Sequence, residues 1–396
     1  MATTAVGRTS SLGPIKPFFE ENLHLSSLSV SSLYTVATLL AGTCVSIFGR
    51  ALYVRISPRL FLTGSLILFS SVPMGFRFLL APPSKAQAGI KLLGLFFVLR
   101  LVAQGSVPLS LRNLVAVYGT RRQQSWLGAL HGTVLNLTCG VLTCGLGFLQ
   151  KWMPWPDVWL LETIGLGAMA VIVGLFFRFD GRCSLPERST NSSGLTTLRW
   201  SPGKIIFALG TLLIGFQQLM GTGMAFHMAG LAQELGVPLE KAFSLFLFIS
   251  ILGIGFSFLG SAVCNRCSLV ISMVLLATAI FGTVLGALLL GTGYGRTGFV
   301  FSSALSWGLN HVLVYVLSPR LLEPSEVPSG NAVIVGFSNI CSSLGPLVLS
   351  LLERIFGRLG PGIGIVGILA GLTCMGIVIT SKKFPHEGSN SFPNGG

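Results

Sequence analysis

Residues 268–290 read Ser-Leu-Val-Ile-Ser-Met-Val-Leu-Leu-Ala-Thr-Ala-Ile-Phe-Gly-Thr-Val-Leu-Gly-Ala-Leu-Leu-Leu, twenty-three positions without a charge. Wound as an α-helix, that run is about 34 Å long and crosses a hydrocarbon core of about 30 Å. Ten further apolar runs share this character. They lie at about 28–49, 60–80, 92–115, 125–149 and 157–177, and then at about 205–230, 241–263, 297–317, 331–352 and 360–381. The sequence therefore predicts an all-α polytopic membrane protein with eleven spans, and its lipid-facing surface makes the bilayer its first partner.

Composition agrees with this reading. The 396 residues are 51% apolar and only 10% charged, with a mean hydropathy of +0.78, whereas soluble domains carry about 25% charged residues. A net charge of +14 would suggest a nucleic-acid partner in a soluble chain. Here the basic residues stand between the apolar runs, which is the pattern of the positive-inside rule, and no nucleic acid is expected. With the connection after the first span placed inside, fifteen Lys and Arg fall on that side and ten on the other, leaving Arg100 within a span. The bias puts the central loop and the C-terminus in the cytoplasm and the N-terminus outside. The plasma membrane is the expected location.

Asp180 to Pro202 is the longest internal polar segment and holds Ser189, Thr190, Asn191, Ser192, Ser193 and Gly194, a linker composition. The expected organisation is a polar N-terminal segment (1–26), a bundle of five spans (27–179), a cytoplasmic loop (180–203), a bundle of six spans (204–382) and a disordered tail (383–396). The two bundles repeat one another. Gly49 closes an apolar run and precedes Arg55 by six residues, as Gly260 precedes Arg266, and Glu21 stands before the first pair as Glu234 stands before the second. The offset of about 211 to 212 residues marks two parallel copies. Extended backwards, the repeat pairs the span 205–230 with residues 1–18, a stretch too polar to cross a membrane, so the first helix of a twelve-helix plan is expected to be missing.

With these features the chain resembles the major facilitator superfamily, and within it the monocarboxylate and oxalate–formate antiporter type. Residues 49–59 are similar to the family's signature between its second and third helices. Arg55 and Arg59 match that pattern, while Val54 stands where the family has an acid and Ser57 where it has glycine. Arg100 and Gln104 with Arg112, Arg121 and Arg122 resemble the fourth helix and its following loop, Phe226-His227 with Glu234 the end of the seventh, and Gly345-Pro346 the eleventh. The resemblance implies two helical bundles around a central cavity that opens to each side in turn. It also implies that Gly49, Arg55, Arg59, Gly260 and Arg266 belong to conformational loops.

Charge or strong polarity inside a span is expensive, about 2.5–3.5 kcal/mol for a central Arg, and marks candidate sites. Arg100 leads them, with Gln104 four residues on and thus on the same helical face. His131 and Asn136 lie in the fourth run, and a histidine there could carry a coupling proton. Gln217, Gln218 and His227 in the sixth run, and Asn310 and His311 in the ninth, complete the set. The alternative for each is a hydrogen-bonded structural role within the bundle.

Other patterns carry no chemistry. Gly362, Gly364 and Gly367 fit GxGxxG without a βαβ context; their role is close helix packing. Cys264 and Cys267 have no second pair, so no zinc is expected. No Walker loop and no nucleophile–base set occurs, so neither an ATP-driven pump nor an enzyme is expected, and no cofactor. The leading expectation is a monomeric secondary transporter of a small solute, such as an organic anion, driven by a coupling ion or proton. The competing one is a non-transporting scaffold, sensor or assembly factor derived from such a transporter.

Overall fold

The computed structural model describes residues 18–19, 21–79, 85–149, 152–176 and 201–383. The expected N-terminal segment up to residue 17, most of the central loop with its Asn191 sequon, and the tail lie outside them. The described chain is α-helical: α1 Ser27–Arg55, α2 Pro58–Phe78, α3 Lys85–Arg100, α4 Val107–Tyr118, α5 Arg121–Leu149, α6 Trp155–Phe176, α7 Pro202–Glu234, α8 Leu239–Arg266, α9 Leu269–Leu288, α10 Gly293–Leu321, α11 Val327–Phe356 and α12 Leu359–Lys383. A π-helical turn, Leu101–Ser106, joins α3 to α4 as one rod. Among the described residues ten helices are long and apolar enough to cross a membrane. Helix α5, with 29 residues, completes eleven rods. Only helices satisfy every backbone polar group within the segment, which is why such a chain crosses lipid in this form.

The repeat is written into the helix boundaries. Helix α8 begins 212 residues after α1 and ends 211 after it. Ser57 caps α2 by accepting from the Leu60 N–H at 3.4 Å, and Ser268 caps α9 by accepting from the Ile271 N–H at 3.3 Å. These two serines are again 211 residues apart. A cap serine at each copy satisfies one of the otherwise unpaired N–H groups at the helix start.

Gly49 and Gly260 do not close their helices, as the sequence suggested. Both helices continue six residues further, to Arg55 and Arg266. The glycines serve helix approach instead. A Cβ at Gly49 would stand 2.8 Å from Leu109 Cδ2, and one at Gly260 would stand 3.3 Å from the Gly308 carbonyl oxygen and 3.4 Å from Leu309 Cα. Gly49 on the α4 rod and Gly260 on α10 are therefore the same crossing in the two copies.

Within the first copy α1 packs on α3, and α2 packs on α6. An aromatic cluster fills one end: Phe18 lies edge-on to Trp159 at 5.1 Å, and Phe19 contacts Phe76 at 5.2 Å and Phe96 at 5.8 Å between ring centroids. In the second copy α7 packs on α11 and α12, and α10 lies between α8 and α9. The largest contacts between the copies are α1 with α11 and α5 with α8 and α10, and smaller ones set α4 against α10 and α11. Among the described residues α5, although it belongs to the first copy in sequence, packs chiefly on the second. Gly128 and Gly132 allow this, since a Cβ at Gly132 would stand 2.6 Å from Ser257 Oγ and 2.8 Å from His311 Cβ.

The α1–α11 contact depends on Gly42 and Gly336. A Cβ at Gly42 would stand 2.9 Å from the Gly336 carbonyl oxygen, and one at Gly336 would overlap Ser46 Oγ. Overpacking of this kind costs about 1–3 kcal/mol. Gly336→Leu is therefore expected to lower the unfolding temperature in detergent. Gly64→Ala, in α2 with nothing within 4 Å of the added methyl, is expected to leave it unchanged or raise it through helix propensity. Equal melting of the two variants would remove the close crossing from the account.

Candidate functional site

The two copies meet along a polar seam. Helix α4 carries Asn113, which accepts from Asn331 Nδ2 of α11 at 2.8 Å. Helix α5 carries Ser125, which donates to Asn265 Oδ1 of α8 at 2.7 Å. Arg320 of α10 donates to the same Asn265 oxygen, to the Cys264 carbonyl at 2.6 Å and to the Arg121 carbonyl at 3.4 Å. Asn113, Ser125, Asn265, Arg320 and Asn331 all lie near the end of the molecule where α4, α8 and α10 finish and α5 and α11 begin. That end also presents Arg122 and Arg266, and is called the Arg-rich end below.

Deeper in the bundle the seam continues through His131 of α5, whose Nδ1 lies 2.7 Å from the Tyr315 hydroxyl of α10. The His311 ring is 6.1 Å from that of His131, and the Arg112 guanidinium carbon stands 5.9 Å from the Tyr315 ring centre. Arg112, His131, His311 and Tyr315, from α4, α5 and α10, thus form one cluster. Asn136, one further turn along α5, is 1% exposed and packs against Gly253 of α8, where a Cβ would stand 2.8 Å from its Nδ2. Asn310 is 2% exposed and its Oδ1 has no hydrogen-bond partner.

Arg100 is 0% exposed. Its guanidinium carbon lies 4.9 Å from the Tyr34 ring centre on α1, and Nη2 approaches Ser342 Oγ of α11 at 3.5 Å. A cation over an aromatic face in a desolvated site gains about 2 kcal/mol or more, comparable to the cost of placing Arg at membrane depth. Directly after Arg100 the rod changes from α to π winding, with the Val107 N–H bonded to the Val102 carbonyl. Pro108 explains the weak point: it has no N–H to offer the Gln104 carbonyl four residues back. That carbonyl accepts instead from Asn339 Nδ2 of α11 at 3.1 Å. So Gln104 acts in the seam through its backbone. Pro346 repeats the device in α11, freeing the Ser342 carbonyl, which accepts from Thr222 Oγ1 of α7 at 2.8 Å.

The remaining candidates lie apart. His227 reaches α11 within the second copy: its Nε2 is 3.0 Å from the Pro346 carbonyl and 3.2 Å from Ser350 Oγ, and its Nδ1 is 3.8 Å from Glu353. Gln217 is 4% exposed, its Oε1 has no partner, and it lines a cavity of about 20 Å³ with Thr283, Ser303, Ser306 and Trp307. A void of that size holds about one water. The Gln218 carbonyl lies 2.7 Å from Thr222 Oγ1 and shares that hydroxyl with the Ser342 carbonyl. Arg59 donates to the Gly174 carbonyl of α6 and so ties two helices of the first copy. Arg266 is exposed, and the Arg55 side chain lies outside the described residues.

Sequence reasoning passed over Tyr34, Asn113, Tyr315, Arg320 and Asn331. The rule that selected Asn310, an amide inside an apolar run, applies equally to Asn113 and Asn331. Tyr34 and Tyr315 gave no signal, because an aromatic residue in a span reads as ordinary packing.

A duplicated pair of helical bundles meeting along a polar seam defines a polytopic carrier fold. The comparisons agree. The model for the Major Facilitator Superfamily matches residues 1–346, and the chain belongs to that family. No curated protein sequence matches it. Among solved structures it is similar to the human organic anion transporter MFSD10 (TETRAN), with 14% identity over 95% of this chain and 96% of that one, TM-score 0.68. It is similar also to the E. coli fucose:proton symporter FucP, with 14% identity over 96% of each chain, TM-score 0.71. A bacterial homologue of the iron transporter ferroportin, in an outward-facing state, shows 13% identity over 96% and 97%, TM-score 0.71. The protein is a multi-pass membrane transporter and not an enzyme.

In the Asn113–Asn331 pair one amide group on each side is used, while Asn113 Nδ2 and Asn331 Oδ1 have no partner. Replacing one Asn by Leu strands the other, whereas replacing both removes every polar atom. A double-mutant cycle on unfolding free energy is expected to give a coupling of about 0.6 kcal/mol, up to about 1.7 kcal/mol. Strict additivity would dissolve the pair.

Proposed function

We propose that this transporter moves a small organic anion by alternating access, its two copies opening and closing along the polar seam, with a proton or ion gradient as the driving force. The observation that supports it most is Arg100, a buried cation at the contact of α1, α4's rod and α11, set against the Tyr34 ring and the Ser342 hydroxyl. One carboxylate would replace the long Ser342 contact with a charge-assisted hydrogen bond, which is roughly twice as strong as a neutral one. Because α1 and α11 belong to different copies, binding at Arg100 is felt by the contact that must open. His131 of α5, held by Tyr315 of α10 on the opposite copy, supports a role for a proton in the second contact between the copies.

A second reading rests on Gln217. Its unpartnered oxygen faces a cavity shared with Trp307, Thr283, Ser303 and Ser306 and lined by no charge. Such a lining favours an uncharged, hydroxylated solute, for which the one-water void seen here must widen as the copies open.

Uptake into proteoliposomes under an imposed pH gradient separates these readings. Labelled short monocarboxylates are expected to accumulate, and Arg100→Gln is expected to reduce the initial rate at least tenfold, while Arg354→Gln at the other end of the molecule leaves it unchanged. Accumulation of a neutral sugar, lost in Gln217→Ala and retained in Arg100→Gln, would establish the second reading. Uptake of neither class would overturn both.

A further inference from the structure

At the Arg-rich end a groove of about 400 Å³ lies between α5 and α8. Arg122 and Trp126 form one wall; Phe258, Ser261, Asn265 and Arg266 form the other. Arg122 and Arg266 are exposed at the mouth. Trp126 follows Arg122 by one helical turn and Phe258 precedes Arg266 by two, so on each wall the aromatic residue lies deeper than the cation. Trp126 is 52% exposed and Phe258 40% exposed. No carboxylate is among the lining residues.

We propose that this groove is a binding site for an anionic phospholipid. The headgroup phosphate sits between Arg122 and Arg266, and one acyl chain descends between Trp126 and Phe258. A cationic rim above an aromatic cleft suits an amphiphile. A free phosphate would use the rim alone and gain nothing from the cleft. Basic pockets between membrane helices on the positively charged side are suited to lipid headgroups, and each Arg at the surface adds attraction to anionic lipid.

The groove is continuous with the seam. Asn265 lines it and also accepts from Ser125 and Arg320. Arg122 belongs to one copy and Arg266 to the other, so a phosphate between them bridges the two copies where they are already joined. The bound lipid therefore stabilises the closed Arg-rich end and favours the conformation seen here.

Native mass spectrometry of the full chain in detergent tests this, with dioleoyl phosphatidylglycerol, dioleoyl phosphatidylcholine and glycerol phosphate as probes. Phosphatidylglycerol is expected to be retained and the other two are not. Arg122→Gln with Arg266→Gln is expected to weaken retention about 30-fold, and Arg354→Gln with Arg358→Gln, exposed at the opposite end, is expected to retain the lipid as the unaltered protein does. Equal retention by the two double variants, or occupancy by glycerol phosphate alone, would overturn the site. Should the Arg122 and Arg266 variant fail to fold, a phosphatidylglycerol with a photoreactive acyl chain is applied to the unaltered protein. Labelling of the peptides carrying Trp126 and Phe258 supports the groove, and labelling confined to other helices overturns it.

Discussion

Polar atoms buried in a membrane protein must find partners, and in this molecule many of them find those partners on the other copy of the repeat. Six of the hydrogen bonds described above run between the copies: Asn113–Asn331, Ser125–Asn265, Arg121–Arg320, His131–Tyr315, Gln104–Asn339 and Arg100–Ser342. Interhelical hydrogen bonds in membranes average about 0.6 kcal/mol, so the six together are worth a few kcal/mol. That is the size of a conformational gap that a bound solute or a proton can move. An apolar seam of equal area would have no such exchange partner, because its surfaces cannot trade contacts for water without the full hydrophobic penalty.

Close helix approach makes the seam possible. Gly42 with Gly336, and Gly128 and Gly132 with α10, bring backbones near enough for short side chains such as Ser and Asn to bridge between copies. Proline adds acceptors. Pro108 and Pro346 each free a carbonyl, and a side chain from a neighbouring helix takes it. These devices act at different depths, so the contact is distributed along the α1–α11 and α5–α8–α10 surfaces rather than concentrated in one ion pair. The departure at Val54 from the family's acidic position is consistent with that arrangement. Arg59, with no acid at that position, bonds a carbonyl within its own copy.

The spans and the duplication were legible because both are long-range patterns of residue type. A run without charge declares a helix in lipid, and an offset repeated in Gly49–Arg55 and Gly260–Arg266 survives in helix boundaries 211 to 212 residues apart. The meaning of those glycines was not legible. Whether a glycine ends a helix or admits a neighbour depends on which helix crosses it, and Leu109 and Gly308 are distant in sequence. The same reason hides the role of Gln104, whose carbonyl is bonded by a residue 235 positions later. Arg100 and His131 were legible as costly residues in a span, but their partners Tyr34, Ser342 and Tyr315 were not, since none of these is costly by itself. His227 was selected by the same cost rule, and its contacts to Pro346 and Ser350 satisfy it away from the seam.

Alternating access along the proposed seam requires the Arg-rich end to part during the transport cycle. Ser125 and Asn265 face each other there at 2.7 Å, and the paired variant Ser125→Cys with Asn265→Cys places two thiols across the contact for oxidative cross-linking. The decisive measurement is solute uptake by that variant before oxidation, after oxidation and after reduction, with each single cysteine variant as a control. Full cross-linking is expected to abolish uptake, the reductant to restore it, and the single variants to show no such loss. Undiminished uptake by the quantitatively cross-linked protein would contradict that requirement.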